Sequence, residues 1–363
     1  MVRVRDIEWE ACLIEPRRDP ELERQLRKQV GRLPGSMAYF SPCPWLPRVL
    51  AALNGLEFPL VHIDHHLADL VMLVVSQDNS CRYCYAAQRA LLRVVGYPQS
   101  QIARLEQDFL TAELDPRQRA ALDFARRVSR SNPLPSAADK QRLRDAGFSE
   151  LAMKEVAGVV ARGIFLNRVS TLPALPPERM EDLPDRWYVR LVGPLLSRKY
   201  RGLRRRGEPT KLREDEKTGP YAYLVLALDG LPFAGELRRV LDEMWHSPIL
   251  SARAKALIFA VVARALGCPC SEQESTRLLL EEGLTQRDVD EILAHLASPK
   301  LDRVEAVVVP FARETIWYEA AQIQRRARAL QPQLSAAEFI ELIAVCGLAN
   351  AVCRLGIITD AAG

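Results

Sequence analysis

The stretch Cys81-Arg82-Tyr83-Cys84-Tyr85-Ala86-Ala87-Gln88, with Asp69 upstream of it, is the most informative part of the chain. Apolar residues around Asp69 recur at helical spacing, and Asp78-Asn79-Ser80 are residues that favour turns and helix caps. We therefore predict that the helix carrying Asp69 ends near Asp78. The next helix should begin at the cysteines, with Ser80 as its N-cap and both thiols in its first turn.

A helix start is a favourable place for thiol chemistry. Its free N–H groups and the positive end of the helix dipole stabilise a thiolate, and Arg82 adds positive charge. The two-residue spacer lets Cys81 and Cys84 meet on one helix face, so that one attacks an oxidant or disulfide and the other closes an intramolecular disulfide. Asp69 would accept a proton if the fold brings it close. The alternative is that both cysteines are buried and structural.

These residues resemble the alkylhydroperoxidase-like, or carboxymuconolactone decarboxylase, superfamily. Its members are all-helical and carry Glu-x11-Cys-x-x-Cys-x3-His, with the cysteines as the peroxidase and disulfide centre and the Glu and His as a proton relay. The similarity runs from about Pro44 to Leu172 and includes Asp123-Phe124-Ala125 and Asn167-Arg168. The resemblance implies that Cys84 attacks and Cys81 resolves. With a fainter repeat downstream, it spans roughly four-fifths of the chain.

Two relay positions depart from the family pattern. Asp69 stands where the family has Glu, and Gln88 stands where it has His. Glutamine does not titrate, so it holds a water or thiolate by hydrogen bonding but relays no proton. We expect either Asp69 to act through water or His66, one turn before it, to couple to it. His62, His66 and Asp69 would share one helix face with His65 beside them, a pattern that also allows a metal site or merely a polar first turn. We predict no metal or cofactor, since no dinucleotide-type Gly-rich turn follows a strand.

Composition narrows the class of protein. The chain has 363 residues, 48% hydrophobic and 26% charged, which is typical of about two globular domains. We noted no apolar run long enough to span a bilayer and no secretory signal, and a net charge of +4 is too balanced to indicate nucleic-acid binding. Eight cysteines without a signal do not form a disulfide framework, so we expect a reduced, cytoplasmic protein.

The two ends of the chain resemble each other. Phe124-Ala125-Arg126 matches Phe311-Ala312-Arg313 at an offset of 187, as Cys81 matches Cys268. At 186, Glu155 pairs with Glu341 and Arg168 with Arg354. We predict an all-α fold of two tandem helical domains of alkylhydroperoxidase-like topology, over residues 1–175 and 216–363, that pack on one another. Residues 176–215 would be a linker, rich in proline at Pro176, Pro177 and Pro184 and basic at Arg198, Lys199, Arg201, Arg204, Arg205, Arg206, Lys211 and Arg213.

The second domain is expected to be degenerate and structural. Ala256, Ser271 and Ser275 replace Asp69, Cys84 and Gln88 there, and Cys268-Pro269-Cys270 is a strained spacing for a disulfide, which leaves only a residual thiol site as an alternative. Cys346 and Cys353 fall on an apolar helix and are predicted to be core.

Three functions remain open at this stage. The resemblance and the cysteine pair favour a thiol-dependent peroxidase or disulfide oxidoreductase that reduces a hydroperoxide or disulfide and is itself reduced by an external dithiol donor. The alternatives are a non-catalytic redox sensor or assembly protein, and a non-redox enzyme similar to carboxymuconolactone decarboxylase. The resemblance also implies a homo-oligomer, and no membrane or nucleic-acid partner is expected.

Overall fold

The computed structural model describes residues 6–30, 35–53, 59–107, 113–177 and 206–359, with the single positions 182, 186, 187 and 198. Within these ranges every regular element is a helix, apart from an isolated bridge between Thr210 and Gly230. The all-α prediction is therefore confirmed for the described residues.

The described residues of the N-terminal half form eight α-helices. They are α1 (Pro20–Val30), α2 (Trp45–Leu53), α3 (His65–Asp78), α4 (Arg82–Val94), α5 (Gln99–Gln107), α6 (Pro116–Arg130), α7 (Ala137–Asp145) and α8 (Glu150–Thr171), with a 3-10 helix at Gly35–Phe40. Helix α3 ends at Asp78, where the sequence predicts it to end. Side chains cap the helix starts: Asp64 accepts the Leu67 N–H before α3, and Asp115 and Gln118 form a reciprocal capping box before α6.

Over residues 206–359 the structure describes eight further α-helices. They are α9 (Ala222–Ala227), α10 (Pro232–Trp245), α11 (Ala252–Leu266), α12 (Pro269–Glu281), α13 (Gln286–His295), α14 (Arg303–Glu314), α15 (Ala320–Leu330) and α16 (Ala336–Thr359). Helices α11 to α14 each begin 187 residues after α3 to α6, and α16 begins 186 residues after α8. The N-caps follow the same offset, as Asp64 and Ser251 or Asp115 and Asp302 show. The two halves thus share the order and spacing of these helices.

The core lies where α8 and α16 pack on each other, because both helices are buried over most of their length. Close approach depends on glycine: a Cβ at Gly347 of α16 would lie 3.3 Å from the Phe165 ring of α8. At Gly158 a Cβ would collide with the Phe233 ring of α10, at 2.4 Å. One hydrophobic cluster runs through both halves, so they are packed against each other rather than merely joined in sequence.

Two buried arginines cross between the halves. Arg168 of α8 donates to the carbonyl oxygens of Thr315 and Ile316 after α14, at 2.9 and 3.0 Å. Arg354 of α16 donates to Ile316 and to Ser129 in the last turn of α6, at 3.0 and 3.2 Å. Burial lowers the pKa of both guanidinium groups. Carbonyl acceptors satisfy these donors, so the arginines tie each half to the other.

Helix α16 corrects one expectation from the sequence. Its 24 residues are long and apolar enough to cross a membrane, whereas from the sequence we predict no apolar run of that length. However, 94% of its apolar window is buried inside the fold. Packing between α16 and the surrounding helices therefore accounts for its apolar composition.

The predicted linker, residues 176–215, is described only in part. Lys199, Arg201, Arg204 and Arg205 of the basic run lie outside the described residues. Of the described members, Arg206 donates from Nε to the Val61 carbonyl oxygen at 2.8 Å, and Arg213 pairs with Asp215. These two arginines therefore have partners within the chain.

Candidate functional site

A cavity of about 210 Å³ lies in the N-terminal half between α3, α4 and α8. Most of its wall is apolar, from residues such as Phe40, Met72 and Leu166. The polar and titratable residues that line it are His65, Asp69, Cys84, Gln88, Arg162 and Ser170. The fold thus brings Asp69, Cys84 and Gln88 to one concave, largely apolar site, as ligand sites in proteins commonly are.

The two motif cysteines differ in exposure. Cys81 is fully buried, whereas Cys84 is half-buried and reaches the cavity wall. Cys81 is itself the N-cap of α4, and its Sγ accepts the Cys84 N–H at 3.2 Å. The prediction of Ser80 as the cap is therefore wrong: Ser80 takes a left-handed backbone with φ of 49° and ends the turn from α3. As a result the helix start holds the two thiols side by side, with Cys84 outward.

The surroundings of Cys84 favour its protonated thiol over its thiolate. Burial, followed by the adjacent Cys81 thiol, raises the pKa of Cys84 well above that of a free cysteine, and a contact with the Ser170 hydroxyl offsets only part of this. The helix start does not overcome this desolvation. Cys84 therefore needs a proton acceptor before it can attack as a thiolate.

Asp69 and Gln88 lie next to each other on the cavity wall, and both are largely buried. The Gln88 amide Nε2 donates to the main-chain oxygen of Asp69 at 3.1 Å. Gln88 is therefore held in place by the backbone of α3 and carries no proton between Asp69 and the thiols. The carboxylate of Asp69 is the acidic group that this wall offers to a substrate or water.

The histidines are placed differently from the prediction. Helix α3 begins at His65, so His62 precedes it and does not share a helix face with His66 and Asp69. His66 is exposed, and its ring stacks on Tyr97 with centroids 4.5 Å apart and an Nδ1 to hydroxyl distance of 2.5 Å. It lines a neighbouring cavity of about 650 Å³ instead of the thiol cavity. His65 is the histidine that lines both cavities, whereas the sequence favours His66 as the residue that couples to Asp69.

Metal binding finds no support in the arrangement of these residues. Among the described residues, no group of three or more His, Cys, Asp and Glu side chains is placed to hold a metal ion.

The sequence assigns no role at the thiol site to two residues that the structure connects with it, Arg168 and Tyr318. Arg168 donates from Nη1 to Asn79 Oδ1, at 3.2 Å, just before Cys81, and its guanidinium lies 5.5 Å from the ring centroid of Tyr318. Tyr318 comes from the C-terminal half, after α14. Burial raises the pKa of Tyr318, and the charges of Cys81 and Cys84 add to that rise. Nothing local in the sequence signals this proximity.

In the C-terminal half, tyrosine side chains contact the residues that correspond to Cys84 and Gln88 of the thiol cavity. Ser271 stands at the position of Cys84, and its Oγ bonds the Tyr223 hydroxyl at 2.7 Å. The neighbouring Tyr221 is fully buried and bonds Ser275, at the position of Gln88, also at 2.7 Å. At the same offset Tyr223 matches Ser36, which lines the thiol cavity. Tyrosine rings thus occupy the region that a small side chain leaves open in the first half.

Comparison with known proteins gives structural likeness only. No protein-family profile matches the chain, and no curated protein does. An uncharacterized peroxidase-related protein from a Silicibacter species is similar in structure at 26% identity and a TM-score of 0.41, over 46% of this chain and 92% of that one. A Ralstonia eutropha structure, described as an alkylhydroperoxidase AhpD core and uncharacterized peroxidase-related protein, has 22% identity and a TM-score of 0.40, over 46% and 90%.

In the part of the chain that the structure describes, the fold and the site together define an all-α protein with a Cys-x-x-Cys pair beside a largely apolar cavity. In that motif the chain resembles the alkylhydroperoxidase-like superfamily. It departs from the superfamily pattern at Asp69 and Gln88, the two relay positions.

Proposed function

We propose that this protein is a thiol-dependent peroxidase or disulfide oxidoreductase that uses Cys84 and Cys81 to reduce a hydroperoxide. The observation that carries the proposal is the placement of Cys84 on the wall of a cavity, with Cys81 directly behind it at the helix start. A substrate in the cavity reaches Cys84 first, and Cys81 is close enough to complete a disulfide.

The reaction balances with these two thiols and one hydroperoxide. The Cys84 thiolate attacks the distal oxygen; an S–O bond forms, the O–O bond breaks, and the leaving alkoxide takes a proton to become an alcohol. Cys81 then attacks the Cys84 sulfenic acid; an S–S bond forms, the S–O bond breaks, and water leaves. The peroxide gains two electrons and the thiol pair loses two. An external dithiol donor returns them by thiol–disulfide exchange.

Proton removal is the difficult part of this proposal. Because the pKa of Cys84 is raised, a base has to take its proton, and Asp69 is the carboxylate on the same wall. Water in the cavity would carry the proton between them, since Gln88 is occupied by the main-chain oxygen of Asp69. We therefore assign Asp69 the role of general base and Gln88 that of a positioning residue.

The test is hydroperoxide consumption with a generic dithiol as donor. We expect Cys84→Ser and Cys81→Ser each to abolish turnover. Cys270→Ser is the matched control, because Cys270 is also a half-buried cysteine in the first turn of a helix but lies in the other half. Undiminished turnover in either motif variant refutes the mechanism.

A redox sensor is the second candidate function, and one observation favours it. The locked Gln88 amide leaves the site without the titratable relay that rapid turnover uses. A sensor would form the Cys81–Cys84 disulfide once per oxidation and show no sustained hydroperoxide consumption. Quantifying the disulfide by mass spectrometry in the same assay separates the two: oxidation with turnover supports the enzyme, and oxidation without turnover supports the sensor.

A further inference from the structure

A second pair of thiols meets in the C-terminal half. Cys268 is the N-cap of α12, as Cys81 is of α4, and Cys353 lies on α16 facing it. The two thiols influence each other's pKa, and both are buried, with 1% and 0% exposure. The backbone of α16 passes close by: a Cβ at Gly356, one turn after Cys353, would lie 3.2 Å from Cys268 Sγ. Two helices distant in sequence thus bring these sulfurs together.

The surroundings of Cys268 favour its thiolate. Hydrogen bonds from the Cys353 thiol and from the Ser271 hydroxyl and N–H lower the pKa of Cys268 to about 7, although burial opposes them. The Cys268 Sγ to Ser271 Oγ distance is 3.2 Å. Burial and the neighbouring Cys268 raise the pKa of Cys353 well above that of a free thiol. These shifts favour Cys268 as the attacking sulfur and Cys353 as the thiol that resolves it.

Cys270 is not the partner of Cys268, despite its closeness in sequence. It is half-buried, whereas Cys268 and Cys353 are buried, and residues two apart in a helical turn do not face each other. Serine at position 271 removes the second cysteine of the motif, and Cys353 supplies a thiol from another helix.

We propose that Cys268 and Cys353 form a second redox pair, which hydrogen peroxide oxidises to a disulfide that cross-links α12 to α16. Cys268 attacks one peroxide oxygen; an S–O bond forms, the O–O bond breaks, and the released hydroxide takes a proton to become water. Cys353 then attacks the Cys268 sulfenic acid; an S–S bond forms, the S–O bond breaks, and a second water leaves. Two thiols lose two electrons, and the peroxide gains them.

The position of the cross-link couples it to the contact between the halves. Cys353 is followed by Arg354, which donates to the Ser129 carbonyl oxygen across the interface and to the Ile316 carbonyl oxygen within its own half. A disulfide at 353 would fix this part of α16 against α12. Under this proposal, oxidation of the pair forms a disulfide cross-link beside the buried arginines.

The experiment uses the full chain with Cys81→Ser and Cys84→Ser, so that its result does not depend on the proposed peroxidase. The protein is treated with hydrogen peroxide, unfolded, alkylated and mapped by peptide mass spectrometry. We expect a peptide linking Cys268 to Cys353 and the loss of two free thiols. The wild-type chain should give the same link, which guards against misfolding of the double variant. Reduced Cys268 and Cys353, a Cys268–Cys270 link, or sulfinic acid at Cys268 without a link would each overturn the proposal.

Two further measurements sharpen the test. Cys353→Ala should abolish the link, whereas Cys346→Ala, a buried cysteine on the same helix, should retain it. The rate of cross-linking should rise about tenfold between pH 6 and pH 8 and then level off, because a thiol with a pKa of about 7 is mostly ionised by pH 8. A rate that keeps rising tenfold per pH unit up to pH 9 contradicts the assigned nucleophile.

Discussion

Replacing Glu155 with glutamine tests how the fold holds the segment that leads into α3. The Glu155 carboxylate, fully buried on α8, accepts three main-chain N–H groups, those of Val61, His62 and Ile63, each at 2.7 Å. These residues lead directly into Asp64, the N-cap of α3. One side chain therefore accepts hydrogen bonds from three main-chain N–H groups that lie outside any helix.

The magnitude follows from the hydrogen-bond geometry. In Glu155→Gln the amide oxygen can serve one side, where His62 and Ile63 donate, while the NH₂ group faces the Val61 N–H. Losing a charge-assisted bond costs roughly 1.5–3 kcal/mol, and each of the two remaining bonds falls toward the roughly 1 kcal/mol of a neutral pair. Relief from burying a carboxylate offsets part of this. We expect a net loss of about 2–4 kcal/mol in the free energy of unfolding.

Guanidinium chloride denaturation, followed by circular dichroism, measures this loss. Glu291→Gln is the matched control, because Glu291 is exposed on α13, and it should change stability by less than about 0.5 kcal/mol. If Glu155→Gln is as mild as the control, the carboxylate does not hold the 61–63 segment and the reasoning is wrong.

Three more predictions concern the thiol site. Asp69→Asn should slow hydroperoxide turnover by something like 10²–10⁴-fold, the usual effect of losing a general base. Asp145→Asn, at an exposed position of α7, is the control and should leave the rate unchanged. Equal rates for Asp69→Asn and wild type would show that Asp69 is not the base. Turnover should rise from pH 7 to pH 9 without levelling, because burial raises the pKa of Cys84 and its thiolate fraction grows with pH throughout this range; a plateau near pH 7 contradicts that assignment. Gln88→His should raise the rate at neutral pH if the relay is only weakened, and no gain despite an oxidisable Cys81–Cys84 pair favours the sensor.

Several features of this protein could be predicted from local sequence alone. The turn residues at Asp78-Asn79-Ser80 correctly separate α3 from α4, and the periodic apolar residues correctly predict an all-α fold. These predictions succeed because helix breaks and helix faces depend on residues within a few positions of one another. The offset of 187 is likewise visible in sequence and recurs in the helix starts.

Side-chain direction and long-range contact required the tertiary structure. Successive residues of a helix point about 100° apart, so the residue at which α3 begins decides which histidines lie on its face toward the thiol cavity. Helix α3 begins at His65 instead of His62, and no local sequence pattern sets a helix start that closely. Tyr318 beside the Cys81–Cys84 pair and Cys353 beside Cys268 come from helices and loops far away in the chain. Sequence periodicity records which face of a helix is buried, but the element that covers that face is decided by packing between the two halves.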